Sequence, residues 1–287
     1  MRFDKSTNIL IIGLGVIGGG YAAALTSKGY RVYCITKEEG DIAYAKERGI
    51  ITDGTTELDT ELIGRAELVI FALYPTVFID WIEKNQQLLR PGALITDVTG
   101  VKGSVVERVQ SILRPDVEFI AAHPMAGRER SGVEFSDPEV FIGANYIVTP
   151  TEKNTKAAIE ICRELGRVLG FGRITELSPE EHDKMIAFLS QLTHCIAVTL
   201  MTCNSTPELE KYTGDSFRDL TRIAKINDKM WSELFIMNKS ALLSEMDAFS
   251  LEFERLRAML VAGDSEGIRE MMRRSTERRS LFDKPKK

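Results

Sequence analysis

Histidine is scarce in this chain. There are three in 287 residues, His123, His182 and His194, so imidazole chemistry near neutral pH has few candidates. Cysteine is nearly as sparse. Cys34, Cys162, Cys195 and Cys203 form no C-x-x-C pair and sit mainly in apolar segments. That spacing offers no zinc knuckle and calls for no metal. It predicts buried free thiols in a reducing compartment, the cytoplasm. No apolar run reaches membrane-spanning length, and residues 1–6 lack the core of a signal peptide, so no membrane attachment is expected. A basic surplus is missing too. Lys and Arg number 37 against 42 Asp and Glu, a net charge of -5, which argues against a nucleic-acid partner. The basic tail is interleaved with Glu277 and Asp283 and reads as a solvated end. No internal repeat or low-complexity tract is present.

What the chain has is apolar material, 44% of its residues, enough for a large core and about two domains. Residues 8–12 are a short apolar run suited to a strand buried on both faces. Gly13-Leu14-Gly15-Val16-Ile17-Gly18 comes next, then a helical pattern to Gly29 and a second strand over residues 30–35. In this strand–turn–helix–strand setting, G-x-G-x-x-G predicts a dinucleotide site. Gly13 permits the tight turn, Gly15 lets backbone approach a pyrophosphate, and Gly18 lets helix and strand pack closely. An acid for the ribose 2′-hydroxyl of NAD is expected after the second strand. Thr36 and Lys37 stand there instead, which suits the 2′-phosphate of NADP better, although Glu38 and Glu39 come directly after them.

The alternation continues through strands at 68–73, 93–98, 119–122 and 145–148, with helices at 76–89 and 104–113. Repeated βα units predict an α/β Rossmann-type, mainly parallel sheet whose ligands gather at the carboxyl ends of its strands. Leu73, Thr99 and His123 lie at such ends. His123 closes an apolar run and is followed by Pro124-Met125-Ala126-Gly127. It either caps a turn or presents a base to a substrate.

Ser178-Pro179-Glu180-Glu181 is a helix start with a capping box, and it sets the expected boundary between a dinucleotide-binding domain, 1–177, and an all-helical domain, 178–287. Met185, Leu189, Leu192, Ile196 and Leu200 form an apolar stripe there. His194 lies off it, facing solvent or a second contact surface. Arg218 and Arg222 are one turn apart if helical. A long helix is expected over 230–262, stopped by Gly263. Its heptad stripe of Leu242, Met246, Phe249, Phe253, Leu256 and Leu260 suits core packing or a C2 homodimer.

Taken in order, several segments resemble the prephenate and arogenate dehydrogenases. They are the glycine turn, Thr96-Asp97-Val98 with Val101-Lys102, His123-Pro124-Met125-Ala126-Gly127 through Glu129 to Ser131-Gly132, Glu181-His182-Asp183, residues 190–194, Phe217-Arg218-Asp219 through Thr221-Arg222-Ile223-Ala224, and Met230-Trp231. The resemblance runs from about residue 8 to residue 240. It implies a Rossmann domain followed by a helical dimerisation domain, and NAD(P)-dependent oxidative decarboxylation of a cyclohexadienyl substrate in tyrosine biosynthesis. Prephenate would give 4-hydroxyphenylpyruvate, and arogenate would give tyrosine. It implies His123 as the base on the ring hydroxyl and Arg222 on a substrate carboxylate. Arg218 becomes a nearby cation, His194 an active-site histidine, Glu129 a gating acid, and Trp231 a residue near the mouth.

Two departures stand out. The family commonly has Gly-Ser where this chain has Thr99-Gly100, and the serine helps orient the catalytic histidine. Thr99 is the adjacent hydroxyl that would substitute. The family's Ser-His-Leu-Pro-His reads here Ser190-Gln191-Leu192-Thr193-His194. The chain ends soon after its helical half, so no appended ACT regulatory domain is expected. A 3-hydroxyacid dehydrogenase would call for a lysine on the face that carries His194, and none stands there. The remaining alternative is a dinucleotide-binding regulator without chemistry, for which Gly100 is the only support.

Overall fold

The computed structural model describes residues 2–127, 130 and 132–283. The chain divides into two compact units, residues 1–239 and 240–287. In the first unit, β1 (Ile9–Ile12), β2 (Val32–Ile35), β3 (Asp53–Thr55), β4 (Leu68–Phe71), β5 (Leu94–Asp97) and β6 (Glu118–Phe119) form one parallel sheet in the order β3-β2-β1-β4-β5-β6. The helices between them are α1 (Val16–Ser27), α2 (Glu39–Glu47), α3 (Thr60–Arg65), α4 (Pro75–Asn85) and α5 (Gly103–Ile112). β1 and β4 are unbroken apolar runs because both of their faces are covered, and all their residues are buried. This is the Rossmann strand order, with its ligand crevice at the carboxyl ends of β1 and β4.

The expectation of one open sheet is corrected at its far edge. After β6, Asp97 Oδ1 accepts the Ala122 N–H at 3.1 Å. The carboxylate satisfies a backbone donor that has left the parallel ladder, and the strand is released to a second sheet. There β7 (Ala121–Pro124) runs antiparallel to β8 (Asn145–Thr149), and β8 runs parallel to β9 (Arg173–Glu176), with α6 (Lys156–Leu169) between the last two. His123 therefore sits within a strand, opposite Ile147, rather than at a strand's end.

The helical part begins as expected. Ser178 Oγ accepts the Glu181 N–H, and the Glu181 carboxylate accepts the Ser178 N–H, a capping box at the start of α7 (Pro179–Ile186). The helix passes through a wider, π-type turn over Ala187–Leu192 into α8 (Thr193–Thr202). The expected apolar stripe packs only in part, through Leu192. Met185 and Leu189 are 48% and 49% exposed, whereas His182, Asp183, Ile186 and Gln191 are buried. The polar members of that face have partners inside the first unit, and these partners offset the cost of burying them. By length and composition the helical stretch Pro179–Thr202 is apolar enough to cross a membrane. It carries the buried, hydrogen-bonded polar residues His182, Asp183 and Gln191.

α9 (Asp215–Thr221) ends in a tight turn over Arg222–Ala224, so Arg218 and Arg222 do not share one regular helix. The single helix expected over 230–262 is two, α10 (Asp228–Met237) and α11 (Lys239–Ala262). The break falls at Asn238, whose side-chain amide donates to Asp183 O and to Gln191 Oε1, each at 2.8 Å. In the second unit α11 stops at Gly263, where φ is +66°, and α12 (Ser265–Ser280) comes after it.

Candidate active site

A cleft of about 680 Å³ opens at the carboxyl ends of the parallel strands. The glycine turn forms one wall. Gly13 holds φ at +98°, and a Cβ on it would meet Ala72 O at 2.4 Å. A Cβ on Gly18 would lie 2.1 Å from Gly13 O. Both positions exclude a side chain on packing grounds alone. Gly15 differs, because a Cβ there would meet nothing within 4 Å. The space in front of it is where a pyrophosphate would lie, against the N-terminus of α1, whose first turn carries no acid. The turn thus fits a dinucleotide. Gly15, Val16, Ile17, Gly18 and Leu73 line the cleft. Gly13 and Leu14 stand behind it, Leu14 buried in the core, and Thr36 and Lys37 lie outside the lining at the end of β2.

His123 lines the same cleft with Gly100, Gln191, His194 and Trp231. Its Nδ1 lies 2.8 Å from His182 Nε2, and His182 Nδ1 lies 2.8 Å from Asp183 Oδ1. Asp183 also accepts two backbone donors at the start of α5, Lys102 N–H on Oδ1 and Gly103 N–H on Oδ2, each at 2.8 Å. Burial holds the His123 imidazole well below its ordinary value of 6.5, and His182 and the Lys102 ammonium act in the same direction. His182 is also lowered, by burial first, with the Asp183 hydrogen bond opposing. Both rings are thus neutral at neutral pH.

Lys102 is fully buried and donates to Asp97 Oδ2 at 2.6 Å. Asp97 binds Lys102 on one oxygen and the β7 backbone on the other, so it ties the loop after β5 to the strand of His123. Removing one partner of such a buried pair costs about 3–5 kcal/mol, because the other charge is left uncompensated.

Thr99 is the hydroxyl next to the absent serine. It lines the cleft, but its hydroxyl is drawn to Asp97 and accepts from Lys102 Nζ at 3.1 Å. Gly100 itself has room for a side chain. A Cβ there would meet Leu234 at 3.5 Å and His123 Cε1 at 3.9 Å, both ordinary contacts.

His194 donates Nδ1–H to Ser190 O at 2.8 Å and stacks on Trp231 with ring centroids 3.7 Å apart. Both rings therefore belong to the cleft wall. Arg218 and Arg222 are absent from the lining. Arg218 is exposed and paired with Asp215 at 3.0 Å, and Arg222 opens the tight turn beyond which Ile223 and Lys225 do line the cleft. Glu129 lies outside the described residues.

Sequence reasoning gave no role to His182, Asp183, Lys225, Tyr74 or Asn227. Asn227 Nδ2 donates to Tyr74 Oη at 3.2 Å, and Thr76 N–H donates to Glu233 Oε1 at 2.6 Å, so the start of α4 is tied to the start of α10. For His182 a signal was present, since it is one of only three histidines and directly precedes an aspartate.

The chain is similar in sequence and fold to known proteins. Residues 21–172 match the family model of the prephenate dehydrogenase nucleotide-binding domain, and residues 178–274 match that of the prephenate dehydrogenase dimerization domain. A prephenate dehydrogenase of Bacillus subtilis (strain 168) is 30% identical over 267 residues, covering 91% of this chain and 72% of that protein. A cyclohexadienyl dehydrogenase of Zymomonas mobilis is 28% identical over 279 residues, covering 95% and 94%. The crystal structure of prephenate dehydrogenase from A. aeolicus in complex with hydroxyphenyl propionate and NAD+ superposes with a TM-score of 0.90 at 30% identity, covering 98% of this chain and 100% of that one.

Proposed function

Because the chain belongs to the prephenate dehydrogenase family, we propose that its cleft oxidises and decarboxylates prephenate to 4-hydroxyphenylpyruvate. The observation that carries this reading is the chemistry of the lining. A neutral imidazole, His123, shares one cleft with the glycine turn and two cations, Arg130 and Lys225, and no carboxylate lines it among the described residues. That suits a dicarboxylate whose side chain is a keto acid.

The backbone of Gly15, Val16, Ile17 and Gly18 would hold the pyrophosphate. A bound nicotinamide would supply the acceptor for the hydride from the ring carbon that bears the hydroxyl. His123 Nε2 takes the hydroxyl proton as that hydride leaves. The bond to the ring carboxylate then breaks, its electron pair enters the ring, and CO2 departs. His123 returns the proton to the same oxygen, now that of a phenol, so the exchange closes with no net proton. Arg222 is proposed for a substrate carboxylate, since a guanidinium grips one bidentately. Arg218 is assigned a supporting charge, Glu129 the gating acid, and His194 with Trp231 a stacked wall beside the substrate. Thr99 keeps its place through Asp97 and Lys102.

Three finer assignments belong to the same proposal. NADP is favoured over NAD because Thr36 and Lys37 stand where an acid would bind a ribose hydroxyl. The functional boundary falls between residues 177 and 178, a reading supported by the two family models, which end at 172 and begin at 178. The compartment is the cytoplasm, in keeping with four free thiols, of which burial pushes Cys34 up to about 12 and Cys162 to about 11.

The experiment is absorbance at 340 nm with prephenate or arogenate and each cofactor. A rise with prephenate, larger with NADP than with NAD, is expected. Faster turnover of arogenate would shift the substrate assignment. Silence in all four combinations would leave the dinucleotide-binding regulator.

A further inference from the structure

With glycine at position 100 and the Thr99 hydroxyl turned inward, some other group must set the orientation of His123. We propose that His182, backed by Asp183, is the positioning residue of the reaction. It fixes His123 as the Nδ1–H tautomer and so leaves Nε2 as the basic atom toward the cleft. The proposal rests on the reading of His123 as the base.

The relay of hydrogen bonds starts at a carboxylate. Asp183 accepts the Lys102 and Gly103 N–H groups, one on each oxygen, at the N-terminus of α5. Held by two backbone donors, it acts as an acceptor toward its third neighbour, so His182 Nδ1 carries a proton. A neutral imidazole protonated at Nδ1 has a bare Nε2. That atom lies 2.8 Å from His123 Nδ1, and the contact is a hydrogen bond only if His123 Nδ1 donates. His123 Nε2 is then left with its lone pair.

The rings meet edge to face, at 61° with centroids 5.1 Å apart, so the contact also fixes the plane of His123. When His123 takes the substrate proton, Asp183 offsets the new charge through His182. Both Nδ1 protons stay where they are. The other charges near the pair are Lys102, which opposes a charge on His123, and Asp97, which is paired with Lys102. Without the acceptor on Nδ1, His123 is free to carry its proton on Nε2, and a protonated Nε2 cannot take another from a neutral hydroxyl.

The test uses His182→Leu, His182→Gln and Asp183→Asn, with His123→Asn as control. Leucine removes the acceptor and should lower kcat about 100-fold or more, with KM for substrate and cofactor little changed. Glutamine can accept from His123 with Oε1 and donate to Asp183 with Nε2, and should recover most of the loss. Asparagine at 183 offers an N–H toward His182 Nδ1. It also sets that N–H against one of the two backbone donors and removes the charge that offsets a protonated His123, so it should lower kcat as well, which keeps the proposal testable if the leucine variant does not fold. Nitrogen-15 spectra of the wild type should show His123 protonated at Nδ1 and bare at Nε2. The proposal is overturned if His123 carries its proton on Nε2 in the wild type, or if leucine and glutamine at 182 act alike. Full activity of His123→Asn would instead sink the assignment of the base itself. An inactive His123→Asn beside a fully active His182→Leu would sink the positioning role alone.

Discussion

At the scale of single residues, the unusual feature is two adjoining imidazoles that burial keeps neutral. Both sit below their ordinary 6.5 in the folded chain. The unfolded chain therefore takes up protons below about pH 6.5 before the folded one does. Stability from this source is complete above 6.5 and is lost as pH falls through the lowered folded values. The acid limb of kcat/KM should likewise lie below 6.5, since the base works only when neutral. Paired profiles of Tm and of kcat/KM against pH check this, and an acid limb above 6.5 would contradict it. The histidine proposed as the base could be singled out in the sequence, because a histidine at the end of an apolar run and before a glycine loop is unusual in a chain with three. Its partner was not. His182 lies 59 residues away and meets it only through the fold. The direction of the Thr99 hydroxyl was equally hidden, since it depends on a buried lysine three residues on.

At the scale of elements, the glycine turn separates packing from binding. Gly18→Ala places a methyl 2.1 Å from Gly13 O and should destabilise the fold by about 1–3 kcal/mol, as overpacking does. Gly15→Ala meets no protein atom within 4 Å, so stability should hold while cofactor affinity falls at least tenfold. Denaturant unfolding and cofactor titration of both variants make the comparison. Equal loss of stability in the two would refute this division. The strand–turn–helix unit and the capping box were readable because each depends on residues close in sequence. The buried face of α7 and α8 was not, because periodicity ranks residues by apolarity alone. His182, Asp183 and Gln191 are buried by virtue of partners that come from distant segments, while a π-type turn shifts the helical phase of α8. The break at Asn238 is hidden in the sequence for the same reason, its side chain being held by Asp183 and Gln191.

At the scale of the whole molecule, the heptad stripe of α11 is the feature that a single chain leaves unfinished. Met246, Phe249, Phe253 and Leu260 are exposed, as is Met272 on α12. Apolar side chains repeated at such spacing are usually covered, and we propose a second copy of the chain as their cover. Sedimentation should give twice the mass of one chain, and Phe249→Glu with Phe253→Glu should reduce it toward one. A monomer in the unaltered protein would contradict the dimer. The function stands on a different footing, the joining of hydride loss to decarboxylation in one cleft. It is tested most directly by measuring CO2 release against absorbance at 340 nm, with prephenate and the preferred cofactor. One CO2 is predicted for each cofactor reduced, with both signals lost together in His123→Asn. Cofactor reduction without CO2, or an unchanged rate in that variant, would contradict it.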